Sequence, residues 1–333
     1  VRRVPGADGD APAAAGLLAR GLDAVEIPYQ ISLAAVPEPP ATDADCTVSV
    51  GHPIGDVTLT EAPLAADAAD VAADLAPGSV DPELALAGAV CAGAEPAGEL
   101  LEEAGLERRP GVAIPTDDVR EGLAGSTLVH ASFSADGAAV ESALEGADFS
   151  DRELASFVAL SAIESAPPRA AEAVERALYP YVTDRFETLA GFADVLDAVA
   201  REQPGTGIAL ALGHDVTAAA LESWRAHGQR AHAALREADA GRYDGVYVVR
   251  LDRGPPELLG TVARLCFQYR SPEPIALAVT DGAAAAVGET ALEAPMRAAA
   301  AELDGRSTAR NGRGTATFDG TMTDFTSAFR GAV

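Results

Sequence analysis

Short apolar runs alternate with alanine-rich stretches of helical composition through the first two thirds of the chain. A parallel sheet wrapped by helices has that signature, because strands covered on both faces read as continuous apolar runs and their crossovers as helices. The pattern predicts strands at Val1–Val4, Val25–Leu33, Val48–Gly51 and Val57–Thr60. It predicts helices over Ala11–Leu22, Ala65–Leu75, Pro82–Ala92, Asp151–Glu164, Arg169–Tyr179 and Leu189–Glu202. Pro and Gly within Gln203–Gly207 mark a domain boundary, and one long helix, Val216–Ala238, follows. After Gly241 the pattern restarts, with strands Val246–Leu251, Ile275–Val279, Ala284–Val287 and Thr315–Phe318 and helices Glu257–Phe267, Glu293–Leu303 and Thr323–Phe329. The expected class is α/β: a larger domain over 1–205, a linker helix over 206–240 and a smaller mixed-sheet domain over 241–333, each of ordinary size.

Composition sharpens this picture. The chain has 333 residues, 48% of them hydrophobic, enough for two cores. It has no lysine, and 24 arginines face 51 acidic side chains for a net charge of -27. Such a balance suits concentrated salt, where the Debye length collapses and surface carboxylates hold water without repelling one another. Acidic residues are therefore background, and arginines standing close together, as at Arg306, Arg310 and Arg313, point toward a phosphate-bearing partner. Cys46, Cys91 and Cys266 are far apart and form no disulfide framework or zinc-spaced pair; they read as buried thiols in a reducing compartment. No apolar run reaches the ~20 residues of a membrane span and no cationic, apolar leader opens the chain, so a cytoplasmic protein without a membrane partner is expected.

Three stretches carry a family resemblance: Ala7-Asp8-Gly9 ahead of the run Ala13–Ala19, the segment Gly125-Ser126-Thr127-Leu128-Val129-His130, and Asn311-Gly312-Arg313-Gly314 ahead of Ala316–Gly320. In that order, around a long helix between two α/β domains, they make the chain resemble the RecJ-like branch of the DHH phosphoesterase superfamily, specifically its divergent members from salt-loving archaea. The resemblance implies a DHH-like parallel-sheet domain and a DHHA1-like substrate-binding domain joined by the helix. It also implies, for active members, phosphodiester hydrolysis by two manganese or magnesium ions held by carboxylates and histidines. Carried over residue by residue, the first motif has Val4 for its histidine and Gly6 for its first aspartate, keeping Asp8 and Gly9. The second metal aspartate falls on Gly51, before His52-Pro53; the Asp-His-His triplet is absent; the fourth aspartate falls on Ala92-Gly93-Ala94. One ligand cannot hold two metals, so the expected protein is catalytically inactive and needs no cofactor. The alternative is an active metal-dependent single-strand exonuclease or phosphodiesterase with manganese or magnesium on Asp8 and Asp10, whose Asp-x-Asp spacing on an extended segment projects both side chains to one side. Asp8 also reads as the N-cap of the helix starting near Ala11.

The other candidates are weighed the same way. His52 reads as a turn residue beside Pro53. His214, His227 and His232 lie on or beside the long helix at spacings that make no ligand pair, and every histidine stands isolated in sequence. Trp224 reads as an interdomain packing residue. In active relatives a glycine-rich loop of the small domain grips the substrate strand, and Arg306, Arg310, Asn311, Gly312, Arg313 and Gly314 occupy it here. Glycines let backbone amides approach a phosphate and each guanidinium can fork onto its oxygens; the alternative is a solvated hairpin turn with arginines paired to the acidic surface. By analogy with the nuclease-dead RecJ-like subunit of the eukaryotic replicative helicase, which binds GINS and the MCM ring, the expected function is a binding subunit of DNA replication or repair. Its partners would be single-stranded DNA or a replisome protein such as GINS. A binder of small nucleotides is the third reading.

Overall fold

Alanine and glycine, which let helices approach closely, shape the first body of the protein. The computed structural model describes residues 8–32, 44–146, 149–252 and 254–333. Helix α1 (Asp10–Ala24) runs through the middle of the first core, with Ala13, Ala14 and Leu17 fully buried. The strands β1 (Val48–Val50) and β2 (Val57–Leu59) pair in parallel beside it. Helices α2 (Leu64–Leu75) and α3 (Pro82–Cys91) then pack on α1. Next come α4 (Gly98–Ala104), α5 (Val119–Gly125), α6 (Gly137–Leu144), α7 (Asp151–Ile163) and α8 (Ala170–Ala177). The chain returns to the core as α9 (Leu189–Glu202), α10 (Pro204–Ala211) and the long α11 (Thr217–Glu237). Polar caps start several of these helices: Asp81, Asp118, Asp136 and Thr188 each accept from a first-turn N–H.

The structure departs from one expectation for this body, and another lies outside the described residues. Over its described residues, the predicted strand Val25–Leu33 is a turn followed by irregular backbone, with Val25, Ile27 and Tyr29 exposed; none of the described strands pairs with it. The strand predicted at Val1–Val4, like Gly6 and Ala7 of the first motif, lies outside the described residues. Within Gln203–Gly207, Pro204 takes the first position of α10, where its missing N–H costs nothing, and later in that helix Leu210 and Ala211 bury fully in the first core.

The second body is a six-stranded sheet in the order β3-β4-β5-β6-β8-β7. Its strands are β3 (Asp239–Tyr243), β4 (Val246–Arg250), β5 (Ile275–Thr280), β6 (Ala283–Gly288), β7 (Arg306–Arg310) and β8 (Arg313–Thr317). Only β4 and β5 pair in parallel; their crossover is α12 (Leu259–Tyr269). The core under α12 continues into Ala162, Val174 and Leu235 of the first body, so the two domains share apolar packing along that face. Helices α13 (Glu293–Ala301) and α14 (Met322–Ala332) cover the other face. The fold is thus mixed α/β, with a small parallel ribbon in one part and a separate mixed sheet in the other. Among the described residues no helix is long and apolar enough to cross a membrane.

The predicted glycine-arginine turn is a β-hairpin. Asn311 and Gly312, at φ of 48° and 67°, form the two-residue loop between β7 and β8, the Asn-Gly pairing that a type I′ turn requires. Alternation along the two strands puts Arg306, Arg310 and Arg313 on one face of the hairpin. Gly314 and Ala316 are buried, Gly314 against Met296 of α13.

Candidate functional site

The arginine face of the hairpin meets the first body at the start of α1. There Gly9 is the N-cap of α1 in αR geometry and Asp10 its first helical residue. The expected extended Asp-x-Asp, and the expected capping role of Asp8, both give way to this turn of helix. Asp10 is completely buried and points at the N-terminus of α2, accepting from the Leu64 N–H at 2.9 Å and the Ala65 N–H at 2.8 Å. Asp8 stays partly exposed and meets Arg310 at 3.5 Å; Arg310 also lies 3.8 Å from Asp10. Burial and the neighbouring Asp8 raise the Asp10 pKa to about 6, against the two amides and Arg310, which lower it. Asp10 is therefore ionised at neutral pH but at a cost that Arg310 limits.

Behind Asp10 lie residues that the sequence reading did not single out. Gly9 donates its N–H to Asp197 of α9 at 3.3 Å. Asp197 forms a two-pronged bridge with Arg201, one turn later, at 2.9 and 3.2 Å. Burial pushes the Asp197 carboxyl up, but Arg201, Arg264 and Arg313 together hold it far below the usual range. Asp194, also on α9, accepts from the Trp224 indole at 2.8 Å and from the N–H and hydroxyl of Thr127. Arg264 of α12 reaches across from the second body to the Thr127 carbonyl at 2.8 Å and its hydroxyl at 2.7 Å. Four carboxylates, Asp8, Asp10, Asp194 and Asp197, thus share the domain boundary with four guanidiniums, Arg201, Arg264, Arg310 and Arg313. A sequence signal existed: Asp194, Asp197 and Arg201 interrupt an otherwise apolar helix, Asp197 and Arg201 at i,i+4 spacing.

The Arg310 and Arg313 guanidiniums lie beside two positions to which the family resemblance assigns metal aspartates. Gly51, assigned the second, has no side chain, and a Cβ there would lie 3.4 Å from the Arg310 guanidinium. At Gly93, assigned with Ala92 and Ala94 to the fourth, a Cβ would lie 3.6 Å from the Arg313 guanidinium. Arg313 donates to the carbonyl of Cys91, where α3 ends, at 2.6 Å. The Cys91 thiol, buried and bonded to the Ala193 carbonyl, is pushed well up by burial and then by Asp197, Asp8 and Asp10. His52 is half-buried, and burial and Arg310 both lower its pKa. These residues do not fit a pair of divalent cations: both Asp10 oxygens already accept backbone N–H groups, and guanidiniums lie where cations would need ligands.

Of the hairpin residues proposed to grip a nucleic acid, Arg310 and Arg313 are engaged within the chain, Arg306 and Asn311 are exposed, and Gly314 is buried under α13. Gly312 turns its carbonyl to the Gly288 N–H at 2.8 Å. Trp224, expected between the domains, lies wholly within the first core against Gly125. The histidines are not isolated in space. His130 stacks on His232 with ring centroids 5.1 Å apart, their Nδ1 atoms at 2.9 Å. His232 Nε2 lies 2.9 Å from the Ser126 carbonyl, an acceptor only, so Nε2 donates and Nδ1 of a neutral His232 accepts from His130. His227 is buried between Glu202 and Thr261 at 2.7 and 2.8 Å, and His214 is exposed. The stretch Gly125–His130 is accordingly a domain-boundary strip: it also receives the Tyr269 hydroxyl at the Leu128 carbonyl, 2.8 Å away.

Comparison with known proteins places the chain in a family by sequence and relates its fold to a solved structure. A sequence profile described as "Uncharacterized protein rrnAC1427, C-terminal domain" matches residues 238–331, the six-stranded sheet and its helices. Over its whole length the chain is 48% identical to the uncharacterized protein rrnAC1427 of Haloarcula marismortui, covering 93% of that protein. Among solved structures, RecJ of Thermus thermophilus in complex with Mg2+ superposes with a TM-score of 0.50 at 17% identity, over 99% of this chain and 48% of RecJ. The fold is RecJ-like, and the chain spans about half the length of that protein.

Proposed function

We propose that this chain, which belongs to the family of the haloarchaeal protein rrnAC1427, is a RecJ-like protein that has lost hydrolysis and serves DNA replication or repair by binding. The observation that carries this reading is the pair Arg310 and Arg313, set against Asp8, Asp10 and the end of α3 in the RecJ-like fold. A two-metal centre works as a Lewis acid that makes hydroxide from bound water. A guanidinium supplies charge and donors but coordinates no water and never loses its proton. The alternative of manganese or magnesium on Asp8 and Asp10 requires Arg310 to leave both.

Between the two classes of partner, the internal engagement of Arg310 and Arg313 favours a protein over single-stranded DNA. A strand in the crevice would have to take those guanidiniums from carboxylates already in contact with them. A replisome protein of the GINS kind, docking on the outer surface, meets no such competition. The test has two arms. Purified protein in molar potassium chloride with manganese is expected to leave labelled single-stranded DNA intact; cleavage abolished by Asp8→Ala would establish the metal-dependent alternative. Fluorescence anisotropy with the same strand is expected to show no difference between wild type and an Arg306→Gln, Arg310→Gln, Arg313→Gln variant. A loss of affinity and a flatter salt dependence in the variant would assign the hairpin to DNA instead.

A further inference from the structure

We propose that the β7–β8 hairpin is an interdomain latch, in which Arg310 and Arg313 serve as tethered counter-ions for the carboxylates at the start of α1 and hold the crevice over Cys91 closed. This does not rest on the functional reading above; it follows from where the hairpin sits and what it touches.

The sheet is fixed to the first body mainly through α12, which packs on β5 and β6 and shares its core with α7, α8 and α11. The hairpin is the far edge of that sheet, in the order β6-β8-β7. Its contact with the first body is polar: Arg310 to Asp8 and Asp10, and Arg313 to the Cys91 carbonyl. Arg310 and Arg313 are direct cross-strand partners, an arrangement of like charges that is unfavourable unless carboxylates face it. The hairpin is held in the sheet by β6 and α13, and its arginine face is held against the first body by the carboxylates and the Cys91 carbonyl. Asp10, fully buried, would be left facing the α2 amides alone if Arg310 withdrew. The two guanidiniums lie at contact distance from the backbone at Gly51 and Gly93, whose φ of 83° and 92° favour glycine. A ligand approaching Asp8 and Asp10 must displace a cation that cannot diffuse away.

Cys91 reports on the latch. It is 7% exposed, lies under Arg313 and beside Gly9, and its thiol reacts only when the crevice opens. Cys46 is exposed and Cys266 is buried in the core under α12; they serve as the fast reference and the unfolding control. Alkylation by a maleimide, followed by peptide mass spectrometry, gives the three rates in one sample. The substitution is Arg310→Ala, which leaves the Arg313–Cys91 bond untouched. The expected result is a rise at Cys91 of about tenfold or more, as for a local opening made easier by one lost ion-pair contact, with Cys266 unchanged. An unchanged Cys91 rate beside a protected Cys266 overturns the proposal, because the hairpin would then be held without the pair. Should Cys266 rise as well, the Arg310→Gln variant decides, since its side-chain amide can still donate toward Asp8 and Asp10 without the charge. It must accelerate Cys91 alone, and equal rates to wild type overturn the proposal.

Discussion

Acid should weaken the domain boundary at the histidine pair before it weakens the fold elsewhere. Both rings are neutral at neutral pH, since both pKa values are lowered, and with Nε2 of His232 donating to the Ser126 carbonyl its Nδ1 accepts from His130. Arg270 faces the remaining nitrogen of His130 at 3.5 Å, and Arg236 and Arg264 stand nearby. Burial first, and then the His232 charge, lower His130 from 6.5 to about 3; burial lowers His232 to about 4 against the Ser126 carbonyl. Both folded values lie below the unfolded one, so the unfolded chain binds more protons as pH falls. The stabilisation is complete above the unfolded pKa near 6.5, is lost progressively below it, and levels off only near pH 3 to 4. Between about pH 7.5 and pH 5 the difference comes to roughly 2 kcal/mol per ring, about 4 for the pair. Urea unfolding in molar potassium chloride measures it, comparing wild type with a His130→Asn, His232→Gln variant at each pH. The comparison matters because Asp10, with a raised folded pKa, contributes in the opposite direction through the same window and cancels between the two proteins. The reasoning fails if the stability gap between them is the same at both pH values.

Two further outcomes follow from the structure. Gly228 of α11 faces the Gly125 carbonyl so closely that a Cβ would overlap it; Gly228→Ala should cost about 2 to 4 kcal/mol, and a midpoint in urea within error of wild type would show that the two helices can separate freely. The surface of this chain, with its net charge of -27, should make the melting temperature rise from low salt to molar potassium chloride as screening relieves repulsion; a flat profile would remove salt adaptation as the reason for the acidity.

The second body was the more legible. Its strands β4, β5 and β6 and helices α12 to α14 alternate between apolar runs of period two and helical faces, and each was expected within a few residues. The missed strand β3 is Asp-Ala-Gly-Arg-Tyr, a polar edge strand with little to bury, so no hydrophobic alternation announces it. The hairpin reads from composition as a turn because its strands carry arginine and threonine on the face that meets the other domain; Asn311-Gly312 is the signal that marks it as a two-residue hairpin. In the first body a sheet was over-read. Val25, Ile27 and Tyr29 alternate properly but find no partner strand, and periodicity alone cannot show whether one exists. The site was legible only at its ends. Asp8, Arg310 and Arg313 stood out by motif and by clustering, whereas Asp194, Asp197 and Arg264 became visible only when helices 60 or more residues apart were brought together, as the Asp194–Thr127 bonds do across 67 residues.

Carboxylates at a buried domain boundary need counter-charge, and the two ways of supplying it respond differently to the surroundings. A dissociable cation stabilises the folded state only in proportion to the logarithm of its free concentration, and in molar salt it competes with monovalent ions. A guanidinium on the chain is present at a fixed effective concentration, and a pair as shielded as Asp197 and Arg201, with side chains 11% and 8% exposed, is little affected by external screening. Arginine also brings several directed N–H donors, so Arg201 can hold both oxygens of Asp197 and Arg264 two atoms of Thr127. What it cannot bring is an acidic bound water. In the function proposed above, guanidiniums standing in for divalent cations would supply the counter-charge but not the means of hydrolysis. At Gly51 and Gly93 the Arg310 and Arg313 guanidiniums approach the backbone to within contact distance of where a Cβ would sit, so the charge is delivered by the hairpin and not by these two positions.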